Sequence, residues 1–405
     1  MAKARSGKNE IGGQDECNSM ASVASNRFVR KKIWLALTSS VITLMVAWMA
    51  VEIYLRQYDA PTTSGLVPIL YTHKGVQISS IPSYYRMTLA PFTVIRNLPS
   101  PRGDYFINSR GLRAEEGAER AEGPKVLLLG GSAAFGLTVR SNADTIAYLL
   151  ENRVSPYKVL NAGVGSFLSG QELSYLATEG IDYHPAVVIA YDGWNDLFDS
   201  TYRPRPKEEL GINHNFFELE DQLAANYQSL NSSRISFSRF IGATYPKSRV
   251  VSRFVNHFYP KQPLRLAANP AMMALALDVY TNNLRKMDRI SRAFDAHFVV
   301  VFQPELGQKI HHAGTEQLAF DSGIIGADNY AREFPDLYKQ FINLAKERLT
   351  KDGIQWIDTN EDARIRDAPD QLFQDVVHTN RQGNEVVAAI IGEWLLRPAD
   401  LNGVH

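Results

Sequence analysis

One cysteine, Cys17, is all that the 405 residues contain, so the chain cannot close a disulfide on itself and a disulfide-stapled scaffold is excluded. Net charge is missing too. The 43 Lys and Arg balance 43 Asp and Glu, which leaves no overall basic field to attract nucleic acid. No Gly-x-Ser-x-Gly occurs, hence no nucleophile elbow of the α/β-hydrolase type. Residues 130–136 (GGSAAFG) match neither Gly-x-Gly-x-x-Gly nor a phosphate loop ending in Gly-Lys-Ser/Thr, which argues against a bound nucleotide. There is no His-Glu-x-x-His run, and a single cysteine cannot build a thiolate zinc site. The spacing of Asp375-x-x-His378 and of His311-His312 is not diagnostic of a metal, so no metal and no cofactor is expected. Internal repeats are absent.

What is present starts with a strand-like run at 125–129 (KVLLL) that empties into Gly130-Gly131-Ser132. Serine needs a neighbouring base to become a nucleophile, and the base needs a third group to fix its tautomer and stabilise its cation. Near the other end of the chain, Asp375-Val376-Val377-His378 offers an acid and an imidazole three residues apart. Ser132, His378 and Asp375 are therefore a candidate nucleophile, base and orienting carboxylate. Two further glycine-containing turns leave strands: Asn161-Ala162-Gly163-Val164-Gly165-Ser166 and Gly193-Trp194-Asn195-Asp196. Exposed backbone N–H groups and a rigid Asn amide in such turns can stabilise an oxyanion, and Asn195 is a candidate donor.

These four pieces, in this order, resemble the four blocks of the SGNH hydrolases, also known as GDSL esterases and lipases, over roughly residues 125–396. The resemblance implies a carboxylic ester hydrolase with Ser132 as nucleophile and oxyanion donor, Asn195 as a side-chain donor, His378 as base and Asp375 as its partner. It also implies an α/β fold, a three-layer sandwich with a parallel sheet covered by helices. Two departures stand out. Gly131 replaces the Asp of the usual Gly-Asp-Ser, and the donor glycine of the second block falls, without a gap, at Ser166, with Gly165 adjacent. Either residue keeps a backbone N–H, so both stay candidates.

The sheet is also legible without the resemblance. Apolar runs at 159–160, 186–191, 298–302 and 354–358 alternate with helical patterns at 336–349 and 385–396, which indicates a parallel sheet covered on both faces. Such sheets place ligands at the carboxyl ends of their strands, where Ser132, Asn195 and the Asp375–His378 segment would meet.

Residues 33–51 hold no charge, and as a helix at 1.5 Å per residue they reach about 28 Å, close to a bilayer core. The tail ahead of them, 1–32, has seven Lys/Arg against three Asp/Glu, so the positive-inside tendency keeps it cytoplasmic. The expected order is a tail at 1–32, a transmembrane helix at 33–55, a stalk at 56–123 and an extracytoplasmic SGNH-like domain at 124–400. An insertion is expected at about 201–277. Within it, 222–277 lacks Asp and Glu while Arg249, Arg253 and five other basic residues alternate with aromatics, a composition suited to a lid or to anionic headgroups or glycans. The expected partner is an ester-bearing small molecule, glycan or lipid, with no nucleic acid. An acyltransferase using the same residues, or a glycan-binding protein that keeps only the fold, are the alternatives.

Overall fold

The computed structural model describes residues 12–58, 72–73, 76–77, 85, 87–102, 104–202, 269, 271–323 and 330–397. Most of the basic, aromatic stretch and of the insertion at 201–277 lies outside them. The chain divides into a unit built on the N-terminal helix and a second unit that holds the sheet.

The first helix, α1, runs Gly12–Tyr58. Its segment Lys31–Tyr54 is 24 residues with a mean hydropathy of 1.8 and none of it buried, long and apolar enough to cross a membrane. Two hydroxyls inside the segment are satisfied by its own backbone: Thr38 and Thr43 donate to the carbonyls of Trp34 and Ser39, each at 2.9 Å.

The second unit opens with three short antiparallel pairs: β1 (Thr72–His73) with β2 (Val76–Gln77), β3 (Met87–Ala90) with β4 (Val94–Asn97), and β5 (Ser100–Arg102) with β6 (Tyr105–Ile107). The main sheet follows: β7 (Lys125–Gly130), β8 (Lys158–Asn161), β9 (Val187–Asp192), β10 (His297–Phe302) and β11 (Gln355–Asp358). All neighbours are parallel, in the order β11-β10-β9-β7-β8. Every residue of β9 is buried, and so is all of β7 and β10 beyond the first residue, so helices cover both faces and the strands read as continuous apolar runs. Between β7 and β9 the strand order reverses direction. That switch point is where doubly wound sheets open a crevice at their carboxyl ends.

The helices are α2 (Ser132–Phe135), α3 (Ile146–Glu151), α4 (Ser169–Thr178), α5 (Trp194–Tyr202), α6 (Ala271–Ala293), α7 (Glu316–Ser322), α8 (Tyr330–Lys351), α9 (Ala363–Arg366) and α10 (Arg381–Leu395). α3 packs on α10, while α4, α5 and α8 pack on α6. α10 starts four residues earlier than its apolar period suggests, because Asn380 caps it by accepting the Gly383 N–H at 2.9 Å. α8 likewise starts ahead of the expected 336–349 and runs through Pro335. A proline inside a helix costs about 3 kcal/mol. Tyr330 and Phe334, both buried by the extra turn, recover roughly 1.5–3 kcal/mol each, which decides the outcome.

Residues between the first helix and β7 join this core. Ile95 and Leu112 are buried in the main cluster, and Tyr105 and Ile107 pack with Phe135 and Leu137 beside the turn that follows β7.

Candidate active site

Ser132 leaves β7 as the first residue of α2, and Asp375 and His378 sit in the loop before α10. The structure brings the three together across 246 residues of sequence: the hydroxyl of Ser132 lies 2.7 Å from His378 Nε2, and His378 Nδ1 lies 2.8 Å from Asp375 Oδ2. A carboxylate only accepts, so the Nδ1–H of a neutral His378 points at Asp375, and Nε2 is left to accept the proton of Ser132. Asp375 Oδ1 also accepts the N–H groups of Val377 and His378, at 3.0 and 2.8 Å. Burial pushes the Asp375 carboxyl up, but the His378 imidazole and these N–H donors outweigh it and hold it below its ordinary value. The acid thus stays charged where it must face an imidazolium.

A buried framework holds the loop that carries the acid and the base. Leu306 N–H donates to Val376 O at 2.9 Å. Lys309 and Glu316, neither exposed at all, form an ion pair at 2.7 Å. Glu316 Oε1 accepts the N–H groups of Leu372 and Phe373 at 2.8 and 2.9 Å, and Lys309 Nζ donates to the carbonyl of Asp370 at 2.8 Å. Every bond made to residues 370–373 fixes the chain just ahead of Asp375.

The nucleophile's turn is clamped from the other side by Arg113. Its guanidinium donates to the carbonyls of Phe135 (3.1 Å), Gly136, Val139 (2.9 Å) and Ser141 (3.3 Å), all shortly after Ser132. It also lies over the rings of Tyr105 and Phe135, 4.3 and 5.0 Å from their centroids.

Asn195, in the first turn of α5, reaches the same place. Its Nδ2 donates to Phe167 O at 2.9 Å, which uses one of its two N–H bonds and leaves the other for a ligand. A Cβ at Gly131 would lie 2.4 Å from Asn195 Nδ2 and 3.4 Å from Phe167 O, so this amide fills the space that a side chain at 131 would need. Loop 163–167 lies flush against α2: a Cβ at Gly163 would come within 2.3 Å of Phe135 N. Of the two candidates in this loop, Gly165 donates its N–H to Tyr85 Oη at 3.0 Å, and Ser166 carries a left-handed φ of 65°.

Behind Asn195 lies a set of buried acids. Asp196 accepts the Ser169 N–H at 3.0 Å and its hydroxyl at 2.5 Å, and Asp192 accepts the Tyr280 hydroxyl at 2.5 Å. Burial pushes Asp192 up to about 6, and burial together with the charge of Asp192 pushes Asp196 up to about 7. Trp194 Nε1 donates to the Tyr330 hydroxyl at 3.1 Å, and that hydroxyl to Glu305 Oε1 at 3.1 Å, which ties the start of α5 to the segment that holds Val376.

Tyr85, Asn97, Arg113, Lys309 and Glu316 escaped the sequence reading. Each acts on a segment remote in sequence, and no local spacing marks them. The histidine pair His311-His312 belongs to the framework under the acid–base loop: Lys309 Nζ donates to His311 O, His312 Nε2 is 3.1 Å from Leu306 O, and the His312 ring packs on Phe320. Among the described residues, no group of three or more His, Cys, Asp or Glu is placed to hold a metal ion. An open cleft of about 840 Å³ is lined by Thr138, Arg140 and Arg381, together with Gln374 and Asn380, which bracket the Asp375–His378 segment.

No protein-family model matches the chain, and no curated protein matches it. Solved structures do resemble it. The acetyl xylan esterase AlAXEase aligns at 13% identity and a TM-score of 0.39, over 66% of this chain and 98% of its own. The acetylxylan esterase Axe2 from Geobacillus stearothermophilus aligns at 12% identity and a TM-score of 0.39, over 68% and 95%. A GDSL-like lipase from Bacteroides thetaiotaomicron aligns at 11% identity and a TM-score of 0.34, over 67% and 87%. Likeness at this level leaves the chemistry to the geometry of the site.

Proposed function

We propose that the chain is a membrane-anchored serine esterase of the SGNH type, with its catalytic unit on the extracytoplasmic side. One observation carries the reading: a hydroxyl, an imidazole and a buried carboxylate in hydrogen-bonded series at the switch point of a parallel sheet. Ser132 Oγ attacks the ester carbonyl carbon while its proton passes to His378 Nε2, and Asp375 stabilises the imidazolium. The oxyanion meets the N–H of Ser132, the N–H of Gly165 or Ser166, and the remaining N–H of Asn195. Collapse of the tetrahedral adduct expels the alcohol, which takes the proton back from His378. Water then repeats the sequence against the acyl-enzyme, returns the acid and restores Ser132. No step needs a metal or cofactor.

The anchor is the apolar segment of α1, and the basic excess of the tail before it supports an inside location for the N-terminus. On that topology the site would face cell-envelope polymers, and an acetyl ester on an envelope glycan is the first substrate to try. The test is hydrolysis by the full chain in detergent micelles, assayed against short and long acyl esters and acetylated glycans beside Ser132→Ala. Release of acid that depends on Ser132 is expected. Transfer to an added sugar in preference to water would move the assignment to an acyltransferase. No Ser132-dependent turnover on any of them would remove the enzymatic reading.

A further inference from the structure

Among the described residues, three carboxyl oxygens in the acid set behind Asn195 are buried with no hydrogen-bond donor: both of Glu172, and Oδ2 of Asp192. Such oxygens call for a partner. Glu172, on α4, is not exposed at all, and it lies within hydrogen-bond reach of Asp192, the last residue of β9. The other oxygen of Asp192 is already served, because Oδ1 accepts the Tyr280 hydroxyl at 2.5 Å. The further titratable groups that face the pair are Asp196 on α5 with Asp199 behind it, Tyr280 on α6 and Tyr338 on α8. None of them is a cation.

Two ionised carboxylates cannot face each other where no water screens them, whereas one proton between them replaces repulsion with an O–H···O⁻ bond. The chemistry demands a shared proton. Burial, then the charges of Asp192 and Asp196, push the Glu172 carboxyl well above its ordinary value, while burial raises Asp192 only to about 6, opposed by the Tyr280 hydroxyl and by Glu172 itself. The proton therefore rests on Glu172. The pair also sits beside the site: Gly193, with φ 100°, turns the chain from Asp192 into α5, which carries Asn195 in its first turn. At the start of α4, Ser169 donates its N–H to Asp196 at 3.0 Å, and its hydroxyl accepts from Asn283 Nδ2 of α6, also at 3.0 Å. α4 is thus fixed to the far side of the turn, and Glu172 meets the near side.

We propose that Glu172 keeps its proton and donates it in a hydrogen bond to Asp192 Oδ2, a contact that makes Glu172 a positioning residue for the turn carrying Asn195. Loss of that proton leaves two carboxylates in contact and drives α4 from the end of β9, which takes the Asn195 amide off its aim. The consequence for turnover rests on the esterase reading; the proton itself does not.

Two substitutions separate the proton from packing alone. Glu172→Gln keeps a donor for Asp192 and cannot titrate, whereas Glu172→Met fills the space and cannot donate. The experiment compares the full-length wild type, both variants and Ser132→Ala in detergent micelles, by chemical denaturation between about pH 5 and 7. Turnover of a chromogenic acetyl ester is measured alongside, per fluorophosphonate-labelled site, so that misfolded protein is removed from the rate. Folded wild type retains a proton that the unfolded chain releases above the ordinary value of 4.5, so its folding constant should fall relative to that of Glu172→Gln by about tenfold per pH unit. Glu172→Gln should keep kcat within about twofold of wild type, and Glu172→Met should lower it about tenfold with KM little changed. Parallel pH dependence of stability in wild type and Glu172→Gln overturns the shared proton. Equal kcat in the two variants overturns the positioning role, and so does a Glu172→Gln enzyme about tenfold slower than wild type, whether or not Glu172→Met folds. Wild type without Ser132-dependent turnover removes the esterase reading and leaves the denaturation result to decide the proton by itself.

Discussion

Gly131 offers the sharpest single perturbation, because it marks where this chain departs from the usual Gly-Asp-Ser block. Its φ is −83°, a value open to any residue, so alanine there meets a contact problem without backbone strain. The added Cβ would lie 2.4 Å from Asn195 Nδ2. Ordinary carbon contacts begin near 3.5 Å, so the amide must retreat by about 1 Å. Nothing else is asked to move, and the casualties are the 2.9 Å bond to Phe167 O and the aim of the second N–H. A displacement of about 1 Å costs on the order of a hundredfold in rate, and losing an oxyanion donor costs about a hundred- to a thousandfold. Gly131→Ala should therefore lower kcat by about a hundredfold and leave KM nearly unchanged, because the ground-state carbonyl barely uses the donor. The assay is steady-state hydrolysis of an activated acetyl ester. Asn195→Ala supplies the control: with the amide gone there is nothing to displace, so the double variant should be no slower than Asn195→Ala alone. A Gly131→Ala enzyme within threefold of wild type, or losses that multiply in the double variant, would refute the placement of Asn195 in the oxyanion site.

Other outcomes follow from the same contacts. Lys309→Met leaves a buried Glu316 charge without its partner, which should cost about 3–5 kcal/mol in chemical denaturation and lower kcat through the loosened 370–373 segment. Glu305, fully buried, is pushed by burial up to about 7 from an ordinary 4.5. The folded state then holds a proton that the unfolded state has released between those values, so this group's contribution to stability falls by about 3 kcal/mol as pH rises from roughly 4 to 8. Glu305→Gln should flatten that part of a stability-against-pH curve, and an unaltered slope would contradict it. Cys17 is the only thiol in the chain, so a membrane-impermeant maleimide should leave intact cells unlabelled and react once they are permeabilised. Labelling before permeabilisation would invert the proposed topology.

Much of this was legible because it is local. The strands announce themselves as apolar runs, since both faces of the sheet are covered and no alternation is needed: 125–129 and 298–302 fall inside β7 and β10. Asp375 and His378 are close in sequence, and their pairing needs only one loop. What could not be read is tertiary. Arg113 grips carbonyls more than twenty residues away, and those carbonyls look the same in any sequence. Lys309 and Glu316 resemble surface charges until the fold buries both. Tyr85 accepts the Gly165 N–H from 80 residues upstream. The helix expected at 336–349 begins earlier, at Tyr330, because Tyr330 and Phe334 are buried in the core and extend it through Pro335.

The central claim is that His378 activates Ser132. It is tested most directly by labelling the full-length protein with a fluorophosphonate and locating the adduct by peptide mass spectrometry. The account predicts one adduct, on Ser132, formed rapidly in wild type and slowed by several orders of magnitude in His378→Ala. A labelling rate unaffected by His378→Ala, or an adduct elsewhere with Ser132 untouched, would contradict it.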